Sequence, residues 1–138
     1  MLLMPRKVKY RKAQKGKNRG IATRGIELNY GEFGLKALEN GLIRGNHLEA
    51  CRVVMARKMK GTGKVWINIF PSKPVTKKPA ETRMGKGKGD LDHWVAPVRR
   101  GRVIMEMGGV PEEFAKTILR LVAFKLPIRT CFISRIHH

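Results

Sequence analysis

VPEEFAKTILRLVAFKLPIRTCFISRI, residues 110–136, contains both periodicities that set the fold class. Pro111 suits the first position of a helix because it has no amide hydrogen to leave unsatisfied, and Glu112 with Glu113 complements the positive end of the helix dipole. Lys116, Arg120 and Lys125 follow where that dipole favours cations. Phe114, Ile118, Leu121 and Val122 are the expected buried stripe. Pro127 ends the helix, and IRTCFISRI supplies a strand.

Working outward, Asn46 followed three residues later by Glu49 has the form of a capping box and predicts a helix running to about Lys60. At 100° per residue, Leu48, Cys51, Met55 and Met59 share one apolar arc while Arg52, Arg57 and Lys60 fall on another. Gly61 and Gly63 stop that helix. KVWINIFP, residues 64–71, then alternates Val65, Ile67 and Ile69 against Trp66, Asn68 and Phe70, the pattern of a strand buried on both faces and ended by Pro71. Residues 93–107 read as a hairpin around Arg99, Arg100 and Gly101, with Pro97 requiring an edge strand or a bulge. Nearer the start, Ile26, Leu28 and Tyr30 alternate as a strand would, and GEFGLKALENGLIRG, residues 31–45, predicts strand and loop broken by glycine. The order predicts one α+β domain over residues 25–138, its two main helices packed on one face of a mixed, mainly antiparallel sheet.

The charge is unevenly placed. Lys and Arg number 30 against 10 Asp and Glu, a net charge of +20 that needs a polyanion to neutralise it. Residues 1–24 carry Arg6, Lys7, Lys9, Arg11, Lys12, Lys15, Lys17, Arg19 and Arg24 and no acidic group. With little to bury, they form a tail expected to order on its partner, nucleic acid being favoured because each neutralised phosphate releases counterions. An anionic membrane surface is the alternative polyanion. No apolar run approaches the roughly 18 residues of a membrane span, and the tail has too few apolar residues for an interfacial helix. Its lack of serine and its glycines also argue against a mitochondrial presequence.

Residues 71–92 hold three prolines and then closely spaced glycines, and predict a long extended loop. Within it, Arg83, Met84, Gly85, Lys86, Gly87, Lys88 and Gly89 would let backbone amides and cations reach one phosphate backbone together; the plainer reading of the same residues is a solvated basic linker. Arg52, Arg57 and Lys60, and Arg99, Arg100 and Arg102 at the hairpin tip, are additional basic surface, as compatible with ordinary solvated charge as with RNA. Neither GKGKGDL nor GTGKVW meets the Walker pattern, and Asp90 breaks the dinucleotide fingerprint, so no nucleotide cofactor is implied. His47, His93, His137 and His138 form no catalytic grouping, and Asp90 with Asp92 lacks a third oxygen ligand, so neither an enzyme nor a metal site is expected. Cys51 and Cys131 are isolated thiols without a zinc spacing. Trp66 and Trp94 read as core rather than as base-stacking platforms.

KYRKAQKGKNRG, FGLKAL, VWINIFPSKPVTKKPAETRMGKGKG, HWVAPV, GVPEE and KLPIRT, in that order over nearly the whole chain, resemble the bacterial-type family of large ribosomal subunit protein sixteen. KPAETRMGKGKG is the most specific of these pieces. The resemblance implies a hammerhead-type α/β domain on large-subunit (23S-type) rRNA, near the base of the central protuberance and the peptidyl transferase centre. It also implies a share in shaping the aminoacyl-tRNA (A) site, with the P site beside it, and a role in late assembly of a cytoplasmic ribosome. The implied partners are rRNA, tRNA and neighbouring large-subunit proteins, with no cofactor, no membrane and no homo-oligomer. By position, the tail from Arg6 to Arg19 and the loop residues Arg83, Met84, Lys86 and Lys88 are the implied contacts. The first five residues and the last eight differ in detail from the family pattern.

Overall fold

The spacing of apolar residues builds two helices; capping chemistry places the start of the first two residues too late and that of the second one residue too early. The computed structural model describes residues 4–7, 18–77 and 90–135. Helix α1 spans Gly45–Met59 and buries Leu48, Cys51, Met55 and Met59, the arc expected of it. The Asn46/Glu49 box does not form. A strand runs straight into the helix, so the extended Arg44 is the N-cap; its amide donates to His47 Nδ1 at 3.4 Å, and Glu49 turns to Arg52. Lys60 closes the helix in the left-handed conformation, φ 51°, with its amide on the Ala56 carbonyl.

Helix α2 spans Glu112–Ala123, with Pro111 as its extended N-cap rather than its first helical residue. Its buried face is Ala115, Ile118, Leu119 and Val122; of the expected stripe Ile118 and Val122 are buried, whereas Phe114 and Leu121 are each 38% exposed. The stripe shifts because α2 packs on both α1 and a sheet, and small Ala115 lets the surfaces close where Phe114 would not fit.

The strands are β1 (Phe33–Ala37), β2 (Gly41–Arg44), β3 (Lys64–Ile67), β4 (Lys73–Lys77), β5 (Asp90–Val98), β6 (Val103–Gly108) and β7 (Thr130–Ser134). They form two antiparallel sheets, ordered β3-β6-β1-β7 and β2-β5-β4, instead of the single sheet expected. Helix α2 lies on β1 and β7, α1 lies on β2 and β5, and the helices touch each other, with Cys51 Sγ 3.8 Å from the Val122 carbonyl.

The hairpin expected over residues 93–107 is also corrected: β5 and β6 belong to different sheets, and the turn between them carries the chain from one to the other. Pro97 is tolerated because β4 stops pairing at Val95, leaving Pro97 a neighbour on one side only, Leu42. The strand expected over residues 64–71 is shorter, four residues at the edge of its sheet and half-buried. The outer parts of the stretch 71–92 enter the β4–β5 pair; residues 78–89 lie outside the described residues.

In the four-stranded sheet, Gly34, Trp66, Glu106 and Ile133 are in register, so they share the face opposite α2. Residues 25–31 cross that face as an irregular strap, not as the strand that Ile26, Leu28 and Tyr30 suggested. A Cβ on Gly34 would meet Leu28 Cδ2 at 2.7 Å, and the Tyr30 ring stacks on Trp66 at 6.0 Å between centroids. The amides of Asn29, Tyr30 and Gly31 cannot ladder because all three donate to Glu106 Oε1, at 2.8, 2.9 and 3.0 Å.

Candidate nucleic-acid interface

Antiparallel pairing brings one set of strand ends together. Ala37 pairs with Thr130, Lys36 with Val103, and Gly41 with Val98. Residues 18–24, 38–40, 99–102 and 124–129 are therefore gathered at one end of the body. Asn18 fastens the tail there: its side-chain amide donates to the carbonyls of Gly41 and Val98, both at 3.1 Å, and its own carbonyl accepts from Asn40 Nδ2 at 3.3 Å. Beyond it, Ile21 makes a parallel bridge with Arg100, and the Ala22 amide donates to the Arg100 carbonyl at 3.0 Å.

The turn that receives the tail is tightly held. Arg100 donates its amide to Asn40 Oδ1 at 2.6 Å, Gly101 donates to the Ala37 carbonyl at 2.7 Å, and Gly101 takes φ 96°, which a side chain would strain. These bonds occupy backbone groups and leave side chains free. Arg99 and Arg100 are exposed, as are Arg19 and Arg24 on the docked tail, so four guanidinium groups stand on one rigid corner. Arg129 joins them beside Leu38, whose amide donates to its carbonyl at 2.9 Å; its own guanidinium lies 3.4 Å from Glu39.

Arg102 is set apart from its neighbours. It is half-buried, its Nη2 donates to the Asn68 carbonyl at 3.1 Å, and its Nε is enclosed without a partner. Arg57 and Lys60 are exposed on α1, whereas Arg52 is held by Glu49 at 3.0 Å. That contact lowers the Glu49 pKa and raises that of Arg52 through the hydrogen bond first and the charge attraction second. Arg6 and Lys7 are exposed. Lys9, Arg11, Lys12, Lys15 and Lys17, and the whole of Arg83, Met84, Gly85, Lys86, Gly87, Lys88 and Gly89, lie outside the described residues.

Glu106, which the sequence reading passed over, anchors the tail side of this arrangement. It is fully buried, and Asn68 Nδ2 donates to its Oε2 at 2.6 Å in addition to the three strap amides. Burial pushes its carboxyl pKa up, but the hydrogen bonds from Gly31, Asn68, Tyr30 and Asn29 outweigh burial and hold it below the usual value. A lone acid inside the apolar run VIMEMG was the available signal. Trp94 is buried, as expected, while Trp66 is half-buried under Tyr30. No group of three metal-ligating side chains occurs among the described residues, and no helix there is long and apolar enough to cross a membrane.

Fold and site together define a cationic α+β protein that carries a basic face on one end of two small sheets. Its sequence agrees with the model of one family, described as ribosomal protein L16p/L10e, over residues 5–133. The large ribosomal subunit protein uL16 of Borrelia turicatae (strain 91E135) is 55% identical over 134 residues, covering 97% of each chain. That of Borrelia duttonii (strain Ly) is 54% identical over the same length and coverage. The chain belongs to the ribosomal protein L16p/L10e family, and so is a structural ribosomal protein rather than an enzyme.

Proposed function

We propose that this chain is a structural constituent of the large subunit of the cytoplasmic ribosome and binds its 23S-type rRNA mainly through phosphate contacts. Residues 1–24 act as the RNA-binding tail, residues 25–138 as one hammerhead-type domain, and residues 71–92 as an extended arm whose Gly/Lys segment, Arg83 to Gly89, reaches rRNA and tRNA. The protein lies near the peptidyl transferase centre and the central protuberance, helps shape the aminoacyl-tRNA (A) site with the P site beside it, and acts late in subunit assembly. Neighbouring large-subunit proteins are its other partners.

The observation that carries this reading is the docking of the tail at Asn18 and Ala22 beside exposed Arg99 and Arg100. It makes the basic tail and the basic corner one continuous surface. Membership of a ribosomal protein family supports rRNA as the polyanion. Phosphate contacts of this kind position RNA without reading its sequence; the peptide-bond chemistry is left to the RNA. Sucrose-gradient sedimentation of tagged protein in its own cell extract, at moderate and then high salt, tests the reading. Co-migration with the large subunit is expected, and free migration at both salts would refute it.

A further inference from the structure

The loop after α2 continues the basic corner and carries an aromatic ring that the body does not use. Phe124 is 79% exposed, more than any other large hydrophobic side chain among the described residues. It is the C-cap of α2, and its neighbours fix it. The Lys125 amide donates to the Val122 carbonyl at 2.9 Å, the Leu126 amide to the Ala123 carbonyl at 3.2 Å, and Leu126 and Ile128 are buried. The ring therefore stands on a short, anchored turn, and holding it in a complex costs little further ordering.

Its surroundings select the partner. Arg120, one helical turn earlier on the same face, and Lys125 are exposed, and Arg129 keeps 79% of its side chain exposed despite Glu39. The same loop joins the corner directly: the Arg129 amide donates to Glu39 Oε1 at 3.0 Å, its carbonyl accepts from Leu38, and Ile128 packs against Gly41, where Asn18 also bonds. An apolar protein surface would have to desolvate those three cations. A nucleotide would not, because its base can cover the ring while its phosphates meet the charges.

On the RNA-binding reading above, we propose that Phe124 is a stacking platform for one unpaired base of the bound RNA, with Arg120, Lys125 and Arg129 holding the flanking phosphates. This contact rests on residues of α2 and the α2–β7 loop that belong to neither the tail nor the Gly/Lys segment in sequence. Being held by ring overlap, it is indifferent to which base stacks but requires an unpaired one.

The test uses the full chain and purified large-subunit rRNA, with binding measured across a salt series and base reactivity probed chemically in the complex. Phe124→Ala should bind roughly ten-fold more weakly, within the range that one stacked base supplies. Its salt slope should equal that of the wild type, and the stacked nucleotide should become reactive. Phe124→Trp should restore affinity and protection, whereas Phe124→Leu should not. Because the side chain is exposed, all three variants should melt as the wild type does. Equal affinity of Phe124→Ala and wild type would overturn the platform while leaving RNA binding intact, and so would full rescue by Leu. So would a defect seen only in binding to other large-subunit proteins. Failure of the wild type itself to bind rRNA would overturn the RNA reading and the platform with it.

Discussion

Oε1 of Glu106 lies 2.8 Å from the amide nitrogen of Asn29, 77 residues earlier in the chain. The contact closes a strap over the four-stranded sheet and fixes where the chain leaves the body on its way back to the tail. Hydrogen bonds to a charged acceptor contribute about 1.5–3 kcal/mol each, and a donor left unpaired loses more. Glu106→Ala should therefore destabilise the fold by about 2–4 kcal/mol, less than the sum of its bonds because the strap can partly reach water. Urea unfolding of the variant and wild type measures it. Limited proteolysis should show new cleavage within residues 25–31.

The same carboxylate sets a pH dependence. Its folded pKa is held below the unfolded one, so its contribution is fully present above the usual carboxylate pKa and is lost as pH falls through the folded value. Melting temperature should decline below about pH 4.5 in the wild type. Glu106→Gln should start lower and decline less over that window. Parallel curves for the two proteins would show that Glu106 does not carry the acid sensitivity.

Arg100 and Arg102, two residues apart, should separate into different phenotypes. Arg100→Ala should reduce RNA affinity and flatten the salt slope by somewhat under one unit with little change in stability. Arg102→Ala removes the bond to the Asn68 carbonyl and should cost about 1–2 kcal/mol of stability. Salt-series binding with thermal melting distinguishes them, as it does for Lys12→Ala in the tail, for which the Arg100 pattern is expected.

The two thiols should react at different rates. Cys51 is fully buried at the contact between α1 and α2, and burial pushes its thiol up to about 11. Cys131 on β7 is half-buried. Alkylation of native protein near neutral pH should modify Cys131 first, with Cys51 reacting only as the fold opens. Mass spectrometry of timed samples checks the order.

Packing in the strap is equally testable. Gly34→Ala would place a methyl group 2.6 Å from the Met105 carbonyl and 2.7 Å from Leu28 Cδ2. Overpacking of this kind costs about 1–3 kcal/mol. The loss should be smaller in a Leu28→Ala background, where half of the clash is gone, and a double-mutant cycle gives the coupling.

Helix α1 was legible because four apolar side chains recur at helical spacing, and that pattern needs no knowledge of the rest of the chain. Helix α2 was legible as an element and only half legible in its buried face, since Ile118 and Val122 are buried and Phe114 and Leu121 are not. Phe114 and Leu121 outweigh Ala115 on any scale of hydrophobicity, yet close approach of α1 and the sheet favours the small residue. The division into two sheets was hidden because a turn at residues 99–102 looks the same whether the strands it joins pair or part. The strap was misread for a related reason: alternation of Ile26, Leu28 and Tyr30 reports side chains, while the backbone there answers to an acid far along the chain. Of the interface, the cations were visible as composition. Their assembly at one corner depended on pairings such as Ala37 with Thr130, which no local pattern records.

That pairing also governs when the fold can exist during synthesis. Strand β1 lies between β6 and β7, so the four-stranded sheet stays incomplete until residues 130–134 have left the exit tunnel. Loop closure over nearly a hundred residues is slow relative to local helix formation. Throughout that interval the nascent chain is a strong polycation without a finished body. The basic corner that the strand ends assemble is thus among the last features of the molecule to take shape, since it waits on the final strand.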